Sequence, residues 1–481
     1  MQFANPRYEN EELSYEDVFL FQQYFDGVSR MHDIDIKPQT PLPTSLPIVS
    51  ANMNAVTGKR MAETLWRYGG LGVLPQDMSL ETISKIVKFI KSANTRYETP
   101  LVVYPTSTIR DALWIIHKRE HQSVVLVDED NKVVNIFKED DFQGLDQYTL
   151  LKDIQKASCI TAPEDISNQE AYELMHKKRI SVLPLVDKNN KLKWILSKQH
   201  CVRMEMYTPT LDKNGKLDLA VAIGINQFEA RAKALYEMWI RIFVLDTAHW
   251  FQRRMKETIQ KARSMFGKNI IIVAWNVVTS QWVEMILEAG ADGVKVGVGP
   301  WAMCTTRLKT GVGRPQFTAV KETARTARQL WWFVWADGGI KNPRDMVLAL
   351  AAGASHVMIG TLFAWTYEST GDIFYDEEGK MYKENYGMAS KKAVVGRNND
   401  KSAFEVAKKQ IFREGISSSK IYLRQGMSSV GEVVDNFTTW LRSAMTYVWA
   451  KNLEELYQKA LIWVQTQAWY YEGTPHWKIV K

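Results

Sequence analysis

The sequence predicts a (β/α)8 barrel that carries an inserted pair of repeats. Three observations predict it: eight short apolar runs separated by stretches of helical period, polar residues at the C-terminal ends of several runs, and one long gap filled by a segment that repeats itself. The runs are PIVSANM (47–53), GGLGVLPQ (69–76), LAVAIGIN (219–226), IRIFVLDTAH (240–249), NIIIVAWNV (269–277), GVKVGVGP (293–300), FVWADGG (333–339) and HVMIGTLF (356–363). Runs this rich in Val and Ile read as strands buried on both faces. FEARAKALYEM, RRMKETIQKARSMF, VEMILEAGA and PRDMVLALAAGA between them have helical spacing. Alternation of this kind builds a parallel sheet, and eight units close it, with functional residues where strands end. Asp246, Asn276 and Asp337 fall at such ends. A doubly wound sheet is the alternative, but its nucleotide loop would follow the first strand, and ANMNAVTG there is not glycine-rich.

The gap spans 93–206, which divides the chain into 1–92, the insert, and 207–481. Its first copy is TSTIRDALWIIHKREHQSVVLVDEDNKVVNIFKEDDF and its second PEDISNQEAYELMHKKRISVLPLVDKNNKLKWILSKQH. Each reads helix, strand, a turn at Asp-Asn or Asn-Asn, then strand. The pair resembles tandem CBS modules, which implies an adenine or guanine nucleotide as regulator. Asn135 and Trp194 stand where that resemblance expects a small residue, so an inert structural insert is the other reading.

Composition narrows the class. The chain has 481 residues and a net charge of +7, from 61 basic and 54 acidic residues that are interleaved, not blocked. That suits an anionic small ligand and gives no footprint for nucleic acid. No apolar run reaches the ~18 residues of a membrane span. The N-terminus lacks the basic-then-apolar pattern of a signal peptide. Cys159, Cys201 and Cys304 are far apart, which suggests neither a disulfide framework nor a zinc site and fits a reducing cytoplasm.

The chemistry concentrates in GVGPWAMCTTR (297–307). A single cysteine is most often a small core residue. Cys304 is different in setting: it follows the sixth run, behind two glycines that let backbone groups face inward, and ahead of Thr305, Thr306 and Arg307. Amide donors and positive charge favour a thiolate. DGG (337–339) and IGT (359–361) end the seventh and eighth runs, where barrels bind phosphate. Asp337 beside them suits ribose hydroxyls. Each glycine taken alone makes only a tight turn; together the features describe a nucleotide attacked covalently on its base.

The chain resembles the IMP dehydrogenase and GMP reductase family over nearly its full length. The motifs that carry this are LSYEDVFL, IVSANMNAVTGKRMAE, DTAH, VKVGVGPWAMCTTR, GVGRPQFTAV, WADGGI, VMIGTLFA, YGMAS and LRSAMTYVWAKNLEEL. The resemblance implies that Cys304 attacks purine C2 and that Asp337 holds the ribose. It implies that Gly338, Gly339, Gly360 and Thr361 hold the phosphate, and that Met53, Asn276, Tyr386, Gly387, Met388 and Ser390 line the nucleotide. Asp246 would face a nicotinamide cofactor. Backbone carbonyls of Gly299, Trp301 and Cys304 would coordinate potassium, and the assembly would be a homotetramer.

Within the family, the dehydrogenase hydrolyses its adduct with an Arg-Tyr pair on a flap. The corresponding stretch, GRNNDKSAFEVAKKQIFREGISSSKIY (396–422), has no such pair. The reductase needs a proton donor for departing ammonia, and Thr306 with Glu414 matches a Thr-Glu pair. YGMAS and AMTYVWA also resemble the reductase. The insert is typical of dehydrogenases, so the expectation is a long, CBS-containing GMP reductase using NADPH in purine salvage. IMP dehydrogenase with NAD is the alternative, and an inactive nucleotide-binding relative the second.

Tryptophan stands where the family's motifs carry glycine at Trp250, Trp275, Trp301, Trp365 and Trp449. Trp239, Trp331, Trp332, Trp440, Trp463, Trp469 and Trp477 also sit where glycine would suit, whereas Trp335 reads as genuine. UGA is stop in the standard code, tryptophan in one variant code and glycine in another. Glycine codons rendered as tryptophan account for the pattern; a real but inactive relative is the other account.

Overall fold

The computed structural model describes residues 1–23, 33–157, 159–226, 228–247, 253–302, 304–385, 404, 419–424 and 426–473. Eight parallel strands close into a barrel in chain order: β1 (Ile48–Ser50), β2 (Leu71–Leu74), β3 (Ala220–Gly224), β4 (Ile242–Asp246), β5 (Ile271–Val277), β6 (Gly293–Val296), β7 (Phe333–Asp337) and β8 (His356–Ile359). Val357 opposite Ile48 joins β8 to β1, and Ala220 opposite Val73 pairs β3 with β2 across the insert. Every residue of β1, β2, β4, β6, β7 and β8 is buried, which is why these runs lack polar alternation. Closure sets aside the doubly wound sheet.

Each strand is followed by a helix: α1 (Lys59–Arg67), α2 (Leu80–Ser92), α3 (Phe228–Glu237), α4 (Arg253–Phe266), α5 (Ser280–Glu288), α6 (Gln316–Gln329), α7 (Pro343–Ala351) and α8 (Val430–Tyr447). Local sequence explains their starts. Ser79 accepts the Thr82 amide at the head of α2. Asn342 with Asp345, and Ser429 with Glu432, form capping boxes on α7 and α8, and Pro343 takes the first turn of α7, where no amide partner is needed. In α2 the buried residues Ile83, Ile86, Val87 and Ile90 make one stripe at helical spacing.

The strands are shorter than the apolar runs. Run 47–53 is strand only to Ser50, because the polar tail turns on itself. Met53 N–H donates to the Ala51 carbonyl at 2.8 Å and Thr57 Oγ1 donates to it at 2.6 Å. That early turn puts residues 51–57 at the mouth of the barrel.

In the 93–206 segment each repeat folds as expected, and each adds a short strand ahead of its helix. One copy pairs Val102–Val103, Val124–Val127 and Val133–Phe137 behind helix Ile109–Ile116; the other pairs Ala162–Pro163, Val182–Val186 and Leu192–Ser197 behind helix Asn168–Lys177. The turns fall at Asn131 and Asn190, both left-handed (φ 63° and 60°), a conformation asparagine tolerates. Those turns bond each other through Leu192 N–H to the Asn131 carbonyl at 2.8 Å.

Two small sheets are not visible as alternation in the sequence. Gln2–Phe3 and Val18–Leu20 flank Leu461–Val464, so the two chain ends share one sheet. Ile373–Tyr375, Met381–Asn385 and Ser419–Tyr422 form an antiparallel sheet after β8. Lys383 in this sheet is buried and donates to the Tyr367 and Ser369 carbonyls at 3.2 and 3.1 Å.

The insert is fastened to the barrel by buried charge. Glu63 on α1 pairs with Arg67 of its own helix and with Arg119 of the insert. Burial alone would raise its carboxyl; the two guanidinium groups outweigh this and hold it at about 2. Glu368 accepts the Glu120 amide at 3.1 Å and the Val430 amide at 3.0 Å, tying the insert to the start of α8. His121 and His200 lie in the same interface, where burial lowers each to about 4.

These groups give acid lability a defined sign. An unfolded histidine takes a proton near pH 6.5, while the buried pair resists until about pH 4, so stability falls across that window on acidification. Glu63 adds a further loss between its unfolded value and about pH 2. Urea unfolding should weaken between pH 6.5 and 4 by up to ~1.4 kcal/mol per pH unit for each histidine. The His121→Gln, His200→Gln double variant should flatten that slope; an unchanged slope counts against the assignment.

Candidate functional site

The site is built at the C-terminal ends of β5, β6 and β7. Between Trp275 and Val277 the β5–β6 register shifts, so Asn276 stands at a bulge, a device that re-aims side chains near active sites. Its amide donates to the Gly297 carbonyl and, at 3.2 Å, to Asp337 Oδ2. Lys295, fully buried in β6, donates to the same oxygen. Burial pulls the Lys295 ammonium below its ordinary value, against the opposing effect of Asp337 and Asp246. Gln316, at the start of α6, donates to the Val296 carbonyl at 2.9 Å and the Asp337 carbonyl at 3.2 Å. Three consecutive strand ends are thus locked around one carboxylate, and neither donor uses its Oδ1.

The cysteine loop leaves β6 at Gly297. A Cβ there would lie 2.2 Å from the Asp337 carbonyl oxygen, so only glycine lets the loop pass this close to β7. The loop turns back at Cys304, whose amide donates to the Trp301 carbonyl at 3.0 Å. Cys304 Sγ is 3.1 Å from Thr306 Oγ1 and receives the Thr306 amide at 3.4 Å. The thiol is half-buried, with the Thr306 amide and hydroxyl beside it. Arg307 is exposed; its aliphatic stem packs where side chains on Gly299 and Gly313 would otherwise stand.

On the other side of the mouth, Gly338 and Gly339 follow Asp337 in left-handed conformations (φ 91° and 77°). Gly360 and Thr361 begin the short helix after β8, and Met53 Sδ lies 3.6 Å from the Cβ position of Gly360. Asp246 ends β4, nearly buried, and Oδ2 accepts Asn52 Nδ2 at 2.7 Å. The structure therefore joins Asn276, Gly297 and Asp337 directly, and pairs Met53 with Gly360. Tyr386, Gly387, Met388, Ser390 and Glu414 lie outside the described residues. Of the carbonyls expected to hold potassium, that of Trp301 accepts the Cys304 amide. Among the described residues no group of three His, Cys, Asp or Glu side chains is placed to hold a metal ion.

Lys295, Asn52 and Gln316 were not singled out from sequence. For Lys295 the signal is present, since a lysine inside the apolar strand GVKV needs a buried partner. For Asn52 and Gln316 no local signal exists, because their partners are far away in the chain.

The rings of Trp275 and Trp301 meet at 6.4 Å in this mouth. Lys295 Nζ lies 3.2 Å from the Trp275 ring centre, and Trp301 Cδ1 is 2.8 Å from the Cβ position of Gly338.

The family model for the IMP dehydrogenase / GMP reductase domain matches residues 12–476. The chain belongs to this family. It is 42% identical over 476 residues to the GMP reductase of Mycobacterium tuberculosis, covering 99% of both chains. It is 35% identical to the inosine-5'-monophosphate dehydrogenase of Aquifex aeolicus, covering 97% of this chain and 95% of that one. A GMP reductase of Trypanosoma brucei, solved in complex with guanosine 5'-monophosphate, superposes with a TM-score of 0.68 at 27% identity, over 97% of this chain and 98% of that one. As a member of the family, the chain is an oxidoreductase of purine nucleotide metabolism that uses a nicotinamide cofactor.

The Lys295–Asp337 pair makes a direct prediction. In Lys295→Met a buried carboxylate loses its charged partner, which should destabilise the fold by about 3–5 kcal/mol. Lys295→Met, Asp337→Leu should recover much of that stability while still failing to bind nucleotide. Denaturant unfolding and a nucleotide-binding titration on the same samples check both halves.

Proposed function

We propose that the chain is a GMP reductase of the long, insert-bearing kind: it converts GMP to IMP and ammonia with NADPH. The observation that supports this most is the 42% identity to GMP reductases over 99% of both chains, insert included. The dehydrogenase relative is more distant at 35%. The absence of an Arg-Tyr pair from residues 396–422 points the same way.

In this reading the Cys304 Sγ thiolate, with the Thr306 amide 3.4 Å away, adds to purine C2. The amino group on C2 then takes a proton and leaves as ammonia. Thr306, with its hydroxyl 3.1 Å from the sulfur, is placed beside that leaving group, and Glu414 is its proposed proton partner. The nicotinamide cofactor, when bound, supplies hydride to C2. Breaking the S–C2 bond returns the thiolate and frees IMP. Asp337, fixed by Lys295 and Asn276, would hold the ribose; Gly338, Gly339, Gly360 and Thr361 would hold the phosphate with Met53 alongside; Tyr386, Gly387, Met388 and Ser390 would complete the lining. Asp246 offers a fixed acceptor at the end of β4, which suits the nicotinamide nucleotide.

Of the remaining proposals, potassium on carbonyls of the 299–304 loop and a homotetramer rest on the family resemblance, an adenine or guanine nucleotide in the insert on the CBS resemblance, and a cytoplasmic location on the three widely spaced cysteines. No described helix is long and apolar enough to cross a membrane.

The test uses the polypeptide as its own cell makes it. With GMP it should consume NADPH and release ammonia. Production of NADH from IMP and NAD would reassign it as the dehydrogenase, and nucleotide binding without either reaction as a relic. Cys304→Ala should still bind GMP yet lose turnover on the order of 10⁴-fold or more.

A further inference from the structure

Seven helices among the described residues close in the same way. The residue after the C-cap turns left-handed and donates its amide three residues back, and the next residue's amide reaches five back. On α1 the left-handed residue is Gly69 (φ 93°), on α5 Gly290 (φ 111°) and on α7 Gly353 (φ 106°). On α3 it is Trp239 (φ 68°), on α6 Trp331 (φ 64°) and on α8 Trp449 (φ 53°).

The hydrogen bonds of the two sets match. Gly290 donates to Leu287 at 2.9 Å and Ala291 to Ile286 at 3.3 Å; Trp239 donates to Tyr236 at 3.1 Å and Ile240 to Leu235 at 3.2 Å. Trp331 and Trp332 donate to Arg328 and Ala327 at 3.2 and 2.9 Å; Trp449 and Ala450 donate to Thr446 and Met445 at 3.2 and 2.9 Å. The backbone at these three positions is that of the glycine-closed helices.

Arg241 lies 5.4 Å from the Trp239 ring centre and Lys459 Nζ 4.9 Å from that of Trp449, contacts that do not call for a left-handed backbone. A left-handed residue with a Cβ is strained, and a bulky aromatic there is a genuine outlier. The side chains gain little burial in exchange: Trp239, Trp331 and Trp449 are 65%, 95% and 39% exposed. The seventh such helix, in the insert, closes on Arg179 (φ 56°), so a side chain is tolerated. What needs a cause is that all three non-glycine closures on the barrel helices are the same amino acid. Tryptophan is 17 of 481 residues, so chance would place it at all three roughly once in tens of thousands of trials.

We infer that residues 239, 331 and 449 are glycine in the protein as its cell makes it, encoded by UGA codons that the cell reads as glycine. The backbone selects these positions independently of any family motif. It does not select Trp332, Trp365, Trp440, Trp463 or Trp469, none of which is left-handed. Trp301 and Trp275 are not left-handed either; the same decoding extends to them because they stand at glycine positions of the family motifs, with indoles above Gly338 and beside Lys295. With glycine at both, the mouth beside Asp337 opens where a nucleotide must lie. Trp66 is the internal control: it is fully buried and donates to the Gly72 carbonyl at 3.3 Å, as a real tryptophan does.

The coding DNA and the mass of native peptides test this without reference to the reaction, so failure here is distinguishable from failure of the reductase assignment. Expected are UGA at codons 239, 331 and 449 with UGG at codon 66, and native peptides lighter by an indole side chain at each of the three. UGG at any of the three, or native peptides with tryptophan mass, overturns the inference. UGG at 275 or 301 overturns its extension to the site. In purified protein, the variant with Trp239→Gly, Trp331→Gly and Trp449→Gly should melt several degrees higher than the tryptophan form; a lower melting temperature counts against glycine as the native residue. Adding Trp275→Gly and Trp301→Gly should raise GMP affinity at least tenfold.

Discussion

One buried ion pair organises the mouth of this barrel. Lys295 and Asp337 sit on neighbouring strands, both essentially out of solvent. Taking either charge out of water alone is prohibitive, so each makes the other obligatory. Because Asn276 shares the same carboxylate oxygen and Gln316 holds the Asp337 backbone, the pair fixes the ends of β5, β6 and β7 together. The cysteine loop departs from one of those ends and the paired glycines from another. Strand register therefore fixes the points from which the cysteine loop and the paired glycines set out, which is the kind of support a reacting site requires.

The insert is coupled to the barrel through the same physics at longer range. Arg119 completes the Glu63 pair on α1, and Glu368 accepts one amide from the insert and one from the start of α8. Glu368 lies in the turn that Lys383 grips by its carbonyls, and Lys383 belongs to the strand Met381–Asn385. A displacement of the insert would have to break charge-assisted bonds next to the turn that Lys383 holds. The fold thus joins the repeat pair to the sheet that follows β8 by contiguous contacts; a regulatory connection would require that sheet to have two discrete arrangements.

Much of this was legible in sequence. Strands buried on both faces show as unbroken Val and Ile runs, and the polar residues Asp246, Asn276 and Asp337 that end them do lie at the C-terminal ends of β4, β5 and β7. The repeat showed through its asparagine turns, because asparagine at a left-handed position is a local signal. What stayed hidden depends on distance in the chain. Asn52 meets Asp246 across 194 residues, and Glu63 meets Arg119 across 56. No periodicity encodes such pairs. Lys295 lies between these cases, since a charge within GVKV announces that a partner exists without naming it.

The tryptophans show how motif and backbone carry different information. Motif comparison ranked Trp250, Trp275, Trp301, Trp365 and Trp449 first. The backbone ranks Trp239, Trp331 and Trp449 first. Most of the other tryptophans adopt ordinary conformations, so they bring no backbone strain; Trp250 lies outside the described residues. Left-handed strain of about 1–2 kcal/mol at each of three positions is a sizeable share of a typical stability of about 5–15 kcal/mol, yet it need not unfold the chain. Buried indole nitrogens do not separate the classes either, because Trp335 and Trp365 both leave Nε1 without a partner. The sign of φ separates them: a helix terminus records which residue it was built for in a backbone angle, whatever side chain is hung upon it.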